Sequence, residues 1–130
     1  MPSGGKASRE KGKRFERAVA RLFRDELGLD AWRGRQERTG ESAPDVDVPG
    51  LWVECKSQRL TNPRAALAQA IADSKGSPDR IPIAVTKDDR QVPIVTMRLA
   101  DFFRWSKRQG EFDDDVDGDV DDDWRPSIDA

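Results

Sequence analysis

The sequence predicts an α/β domain whose central mixed sheet is flanked by helices, and three observations carry that prediction. Phe15, Val19, Leu22, Phe23 and Leu27 recur at helical spacing, and Gly28 supplies a stop. Two short apolar runs, Val46 to Val48 and Leu51 to Cys55, flank Pro49-Gly50 and read as a tight β-hairpin. Beyond them an alanine-rich segment, 65–74, separates the hairpin from two more strand-like runs, 81–86 and 92–97.

Taken in order, residues 1–8 read as a flexible basic arm and 9–110 as the folded domain. The first helix spans about Ser8 to Leu27 and buries its apolar stripe, with Lys11, Lys13, Arg14, Arg17, Arg21 and Arg24 on its outward side. That side suits a phosphate backbone and equally a solvated surface. A first strand is expected over Leu29 to Arg35, followed by a polar loop, 36–43. After the hairpin, Asn62 or Thr61 can cap a helix that has Pro63 at its first position, and Leu67 and Ile71 pack it on the sheet. The last two strands are joined by the charged turn 87–90. A short helix, Leu99 to Lys107, then presents Leu99, Phe102, Phe103 and Trp105, either to the core or to a second copy.

The charge of the chain is divided along its length. The whole sequence carries 23 Lys+Arg against 25 Asp+Glu, but residues 111–130 hold ten of those acids and only one base, Arg125. Residues 1–110 therefore carry 22 bases against 15 acids, a net of +7, the sign expected of a polyanion binder. The acidic tail, 111–130, repels itself and is expected to be disordered, competing with DNA for the basic surface or recruiting a basic partner. Asp113, Asp115, Asp117 and Gly118 match the first half of a calcium loop, but Trp124 stands where its bidentate glutamate belongs.

Composition also excludes chemistry. With no histidine, neither a histidine base nor a histidine metal ligand exists, so hydrolysis would have to run on carboxylates, lysine and metal. The single Cys55 rules out an intrachain disulfide and reads as a small buried hydrophobe. No apolar segment is long enough to span a bilayer and no signal peptide is present, so a soluble, cytoplasmic protein without membrane contact is expected.

The residues that do carry chemistry lie in the hairpin. Side chains alternate along a strand, so Glu54 and Lys56 share one face while Val53 and Cys55 share the other. Hairpin pairing brings Asp45 or Asp47 close to Glu54. Two carboxylates suit a hard divalent cation such as Mg2+, with Mn2+ as a substitute, and an adjacent lysine can hold a phosphate oxygen or orient a water. These are the parts of a metal-assisted phosphodiester hydrolase.

Pro44-Asp45 followed by Glu54-Cys55-Lys56 resembles the signature of the PD-(D/E)xK nuclease superfamily. The resemblance implies a restriction-endonuclease-like core over residues 9–107, with Asp45 and Glu54 as metal ligands and Lys56 positioning or activating water. Lys11-Gly12-Lys13-Arg14-Phe15-Glu16 further looks like the opening of archaeal-type Holliday-junction resolvases and their phage-borne relatives. By that likeness Glu16 assists at the metal; its plain alternative is an ion pair with Lys13 or Arg17. Ser42 matches a serine on a DNA-approaching loop, with Arg33, Arg35 and Arg38 as phosphate contacts. Lys13, Arg14, Arg17 and Arg59 extend that DNA-binding set. Gln69 matches a glutamine that in some branches points back at the site.

The implied activity is Mg2+-dependent cleavage of branched double-stranded DNA, most simply a four-way junction cut symmetrically by a homodimer. Another nicking or flap nuclease, or a DNA-binding module without activity, are the alternatives.

Overall fold

The computed structural model describes residues 3–34 and 42–110. The chain divides into two compact units, Met1–Met97 and Arg98–Ala130. The first holds α1 (Ser3–Leu27), β1 (Trp32–Arg33), β2 (Val46–Val48), β3 (Leu51–Gln58), α2 (Pro63–Asp73), a 3-10 turn (Ser74–Gly76), β4 (Ile81–Asp88) and β5 (Ile94–Thr96). The described part of the second is α3 (Leu99–Arg108). Among the described residues no helix is long and apolar enough to cross a membrane.

The five strands lie side by side in chain order, so the sheet is a meander with one exception. β1, β2 and β3 are antiparallel, β3 and β4 are parallel, and β4 and β5 are antiparallel. The parallel pair requires a crossover, and α2 provides it. Asn62 caps α2 by accepting from the Ala65 amide at 3.1 Å, and Pro63 occupies the first turn, where its missing N–H costs nothing. The α/β class with a mixed sheet and helices is the one expected.

Burial shows where the core lies. Leu51 to Cys55 and Ile81 to Thr86 are buried without alternation, as strands covered on both faces must be. α1 and α2 both pack on β3. β2 instead alternates, with Val46 and Val48 buried and Asp47 exposed. The β2–β3 turn is the expected one, with Gly50 at φ 80°, a conformation that favours glycine.

Several boundaries differ from expectation, β5 among them, which covers Ile94–Thr96 where 92–97 is expected. α1 begins at Ser3, so most of the stretch expected to be a flexible arm is helical. Ala7, Arg9, Glu10, Lys11 and Lys13 are good helix formers and carry the helix through Gly5 and Gly12. β1 is two residues long within the described chain, and side chains anchor it. Arg24 of α1 donates to the Ala31 carbonyl at 2.6 Å and lies 4.1 Å over the Trp32 ring. β4 runs two residues beyond Thr86, its end tied down where Asp88 accepts from both the amide and the hydroxyl of Thr61.

In the second unit, Leu99, Phe102 and Phe103 of α3 are exposed, and Asp101 is held by Arg98 and Arg104 three residues to either side. The acidic tail, 111–130, lies outside the described residues.

Candidate active site

The site is built where β2 and β3 stop pairing. Val46 faces Val53 at the end of the ladder, and the Asp45 amide still donates to the Val53 carbonyl at 2.9 Å. One step further the backbone amide of Cys55 has no strand partner on that side and donates instead to Asp45 Oδ2 at 2.9 Å. The Asp45 side chain thus replaces a ladder bond, which fixes its carboxylate at the fork between the strands.

A second contact holds Asp45 from behind. Gly34 donates its amide to the Asp45 carbonyl at 2.8 Å, and a Cβ on Gly34 would stand 2.0 Å from the Pro44 carbonyl oxygen. Only glycine allows this approach. The close packing of 34 on 44–45 explains why the acid is presented at one defined place.

Glu54 is 3% exposed, buried in the sheet, and accepts from the Trp52 indole N–H at 3.3 Å. Burial, then the nearby charge of Asp45 and a hydrogen bond with it, push the Glu54 carboxyl up to about 8; the Trp52 donor acts in the opposite sense. The Glu54 carboxyl therefore keeps its proton at neutral pH. Burial and the same acids hold the Cys55 thiol far above the usual thiol range, so it is an inert packing group and not a nucleophile.

Asp45 lines a cleft of about 780 Å3 together with Glu16, Arg33, Cys55, Lys56 and Arg59. Ser8, Arg9, Lys11, Gly12 and Lys13 form the wall contributed by α1. Glu54 does not line this cleft; it meets the site through Asp45. Lys56, exposed and next to Cys55, opens onto it.

The other residues singled out in the sequence fall into three groups. Glu16 lines the cleft, with its Oε2 2.7 Å from Arg33 Nε. This ion pair is not among the partners considered for Glu16, because Arg33 is distant in sequence. Lys13 and Arg59 also line the cleft, whereas Arg14, Arg17, Ser42 and Gln69 are exposed and do not. Asp47 lies elsewhere: its carboxylate is 58% exposed and 2.9 Å from Arg80. Arg35 and Arg38 lie outside the described residues.

Lys11, on the basic side of the first helix, lines the cleft, and so does Arg9, which lies outside that set although stepping back along the helix from Glu16 by three, four, seven and eight residues reaches Lys13, Gly12, Arg9 and Ser8. Trp52 was also legible, since it shares a face with Glu54 two residues on. Among the described residues no three acidic or cysteine side chains converge closely enough to enclose a metal ion by themselves. The two carboxyls at the fork would have to be completed by substrate and water.

No family model matches the chain, and no curated protein matches it. Among solved structures it is similar to Hjc from Archaeoglobus fulgidus, described as a Holliday junction resolvase from an archaeal hyperthermophile. The likeness has a TM-score of 0.49 at 20% identity and covers 67% of this chain and 72% of that one.

Proposed function

We propose that the chain is a divalent-metal-dependent endodeoxyribonuclease that cuts branched DNA, a four-way junction above all, as a homodimer. One observation carries the reading: at the β2–β3 fork Asp45, backed by the buried carboxyl of Glu54, lines with Lys56 a cleft whose rim is basic. A protein that only binds phosphates gains nothing from an acid presented to them in the cleft, with a second buried behind it.

The donor set suits Mg2+ or Mn2+. It offers only oxygen, and a cation at the fork would displace the proton that burial and the Asp45 charge keep on Glu54. Mg2+ commonly takes one or two carboxylates and leaves its other positions to water and substrate phosphate, so a site with two acids is sufficient. Once bound there, the ion would polarise the phosphodiester and acidify a water.

The protein's own residues do the rest. Asp45, held by the Cys55 amide, and Glu54, held by Trp52, would grip the ion with little reorganisation. Lys56 holds a phosphate oxygen or orients the attacking water. Arg9, Lys13 and Arg59 take flanking phosphates along the cleft, and Glu16 fixes the Arg33 guanidinium at its wall. Recognition by backbone charge and shape fits a basic cleft in a chain this small. Two symmetric cuts need two sites, hence two copies.

The test is cleavage of a labelled synthetic four-way junction, with linear duplex, flap and single-stranded controls, in Mg2+ and in EDTA. Paired symmetric cuts restricted to the junction are expected. Cutting of flaps or nicked duplex instead would change the substrate within the same chemistry, and tight binding without cutting would favour a DNA-binding module.

A further inference from the structure

The buried stretch of β4 ends on a hydroxyl. Ile81, Pro82, Ile83, Ala84 and Val85 are apolar, and the sixth buried residue is Thr86, 1% exposed. Its Oγ1 has no hydrogen-bond partner among the described residues. Valine would fill the same space on a strand without burying a polar atom, so a hydroxyl here needs a partner to be worth its desolvation.

The sheet register restricts that partner. Side chains paired across neighbouring strands lie on one face about 4.8 Å apart. Thr86 pairs with Lys56 on β3 and with Ile94 on β5, and the residues two along its own strand are Ala84 and Asp88. Ile94 and Ala84 are apolar. Asp88 is already accepting from the Thr61 amide at 2.8 Å and from the Thr61 hydroxyl. Lys56 is the one in-register neighbour with protons to give, and its ammonium makes no ion pair or hydrogen bond among the described residues.

We propose that the Thr86 hydroxyl anchors the Lys56 ammonium: when the exposed Lys56 side chain folds back along the sheet, Oγ1 accepts a hydrogen bond from Nζ and holds it beside the Asp45–Glu54 fork. Thr86 is then a positioning residue: it touches neither substrate nor metal, and acts by narrowing the rotamers of a four-carbon chain. The catalytic consequence of this anchor rests on the nuclease reading above; the anchor itself does not.

Two measurements separate the two claims. In the free full-length protein, the side-chain 15N signal of the Lys56 ammonium should move in Thr86→Val and return toward the wild-type position in Thr86→Ser; an unmoved signal overturns the anchor whatever the activity. In single-turnover cleavage of a four-way junction with Mg2+, Thr86→Val should lose at least tenfold in rate with junction affinity within twofold of wild type, and Thr86→Ser should recover most of the loss. Adding Thr86→Val to Lys56→Ala should cost nothing more, whereas a merely structural role would lower both backgrounds equally and overturn the proposal. Thermal unfolding should show Thr86→Val no less stable than wild type. Wild-type protein that cuts no DNA would overturn the nuclease reading and leave the anchor to be decided by the ammonium signal.

Discussion

The backbone amide of Cys55 donates to the carboxylate of Asp45 at 2.9 Å, so a side chain takes over a ladder bond where β2 leaves β3. Replacing Asp45 by Asn keeps an acceptor for that amide, whereas Ala leaves it unpaired in a part-buried place. Asp45→Ala should therefore be less stable than Asp45→Asn by about 1–3 kcal/mol, read by urea unfolding. Equal stability of the two variants would remove the hydrogen bond from the account.

Glu54 makes the stability of the metal-free protein depend on pH in an unusual direction. Its folded carboxyl is raised to about 8 from an ordinary value near 4.5, so between those limits the unfolded chain gives up a proton that the folded one keeps. The stabilisation is complete below the unfolded value and is lost as pH rises toward 8. Unfolding free energy should fall by a few kcal/mol between about pH 5 and pH 8, and Glu54→Gln should flatten the dependence. Added Mg2+ should restore stability at the alkaline end. A stability that rises over this range in the wild type would show that Glu54 is ionised throughout.

Gly34 supports the same acid from behind. A methyl group there would overlap the Pro44 carbonyl, which is backbone and cannot swing aside. Gly34→Ala should destabilise by about 3 kcal/mol or displace Asp45. Gly76→Ala, where a Cβ meets nothing within 4 Å, is the control and should be near neutral.

Salt dependence tests the basic wall. Log–log plots of DNA affinity against salt should lose about one unit of slope for each phosphate contact removed by Arg9→Ala, Lys13→Ala or Arg59→Ala. Arg17→Ala, exposed and away from the cleft, should leave the slope close to that of wild type. Equal slopes in all four would place the DNA somewhere else.

Much of this was legible in the sequence because it is local. The hairpin announces itself through Pro49-Gly50 and the short apolar runs on either side, and Asn62-Pro63 marks the start of α2 before any contact is known. The choice between Asp45 and Asp47 was not legible, since both satisfy the spacing. It depends on where the ladder stops and on Arg80, which takes Asp47 from 33 residues away. The pairing of Glu16 with Arg33, the approach of Gly34 to Pro44 and the burial of Thr86 beside Lys56 are likewise products of the fold. The beginning of α1 was misjudged because glycines at 4 and 5 argue locally against a helix that its later residues sustain.

The most direct measurement is single-turnover cleavage of one labelled four-way junction by wild type and Asp45→Asn, with binding measured on the same molecules. The account predicts cutting by wild type in Mg2+ and none in EDTA, with Asp45→Asn bound as tightly or more tightly and uncut. An Asp45→Asn protein that cuts at the wild-type rate, or one that has lost binding while the wild type keeps it, would contradict the assignment of Asp45 to the catalytic centre.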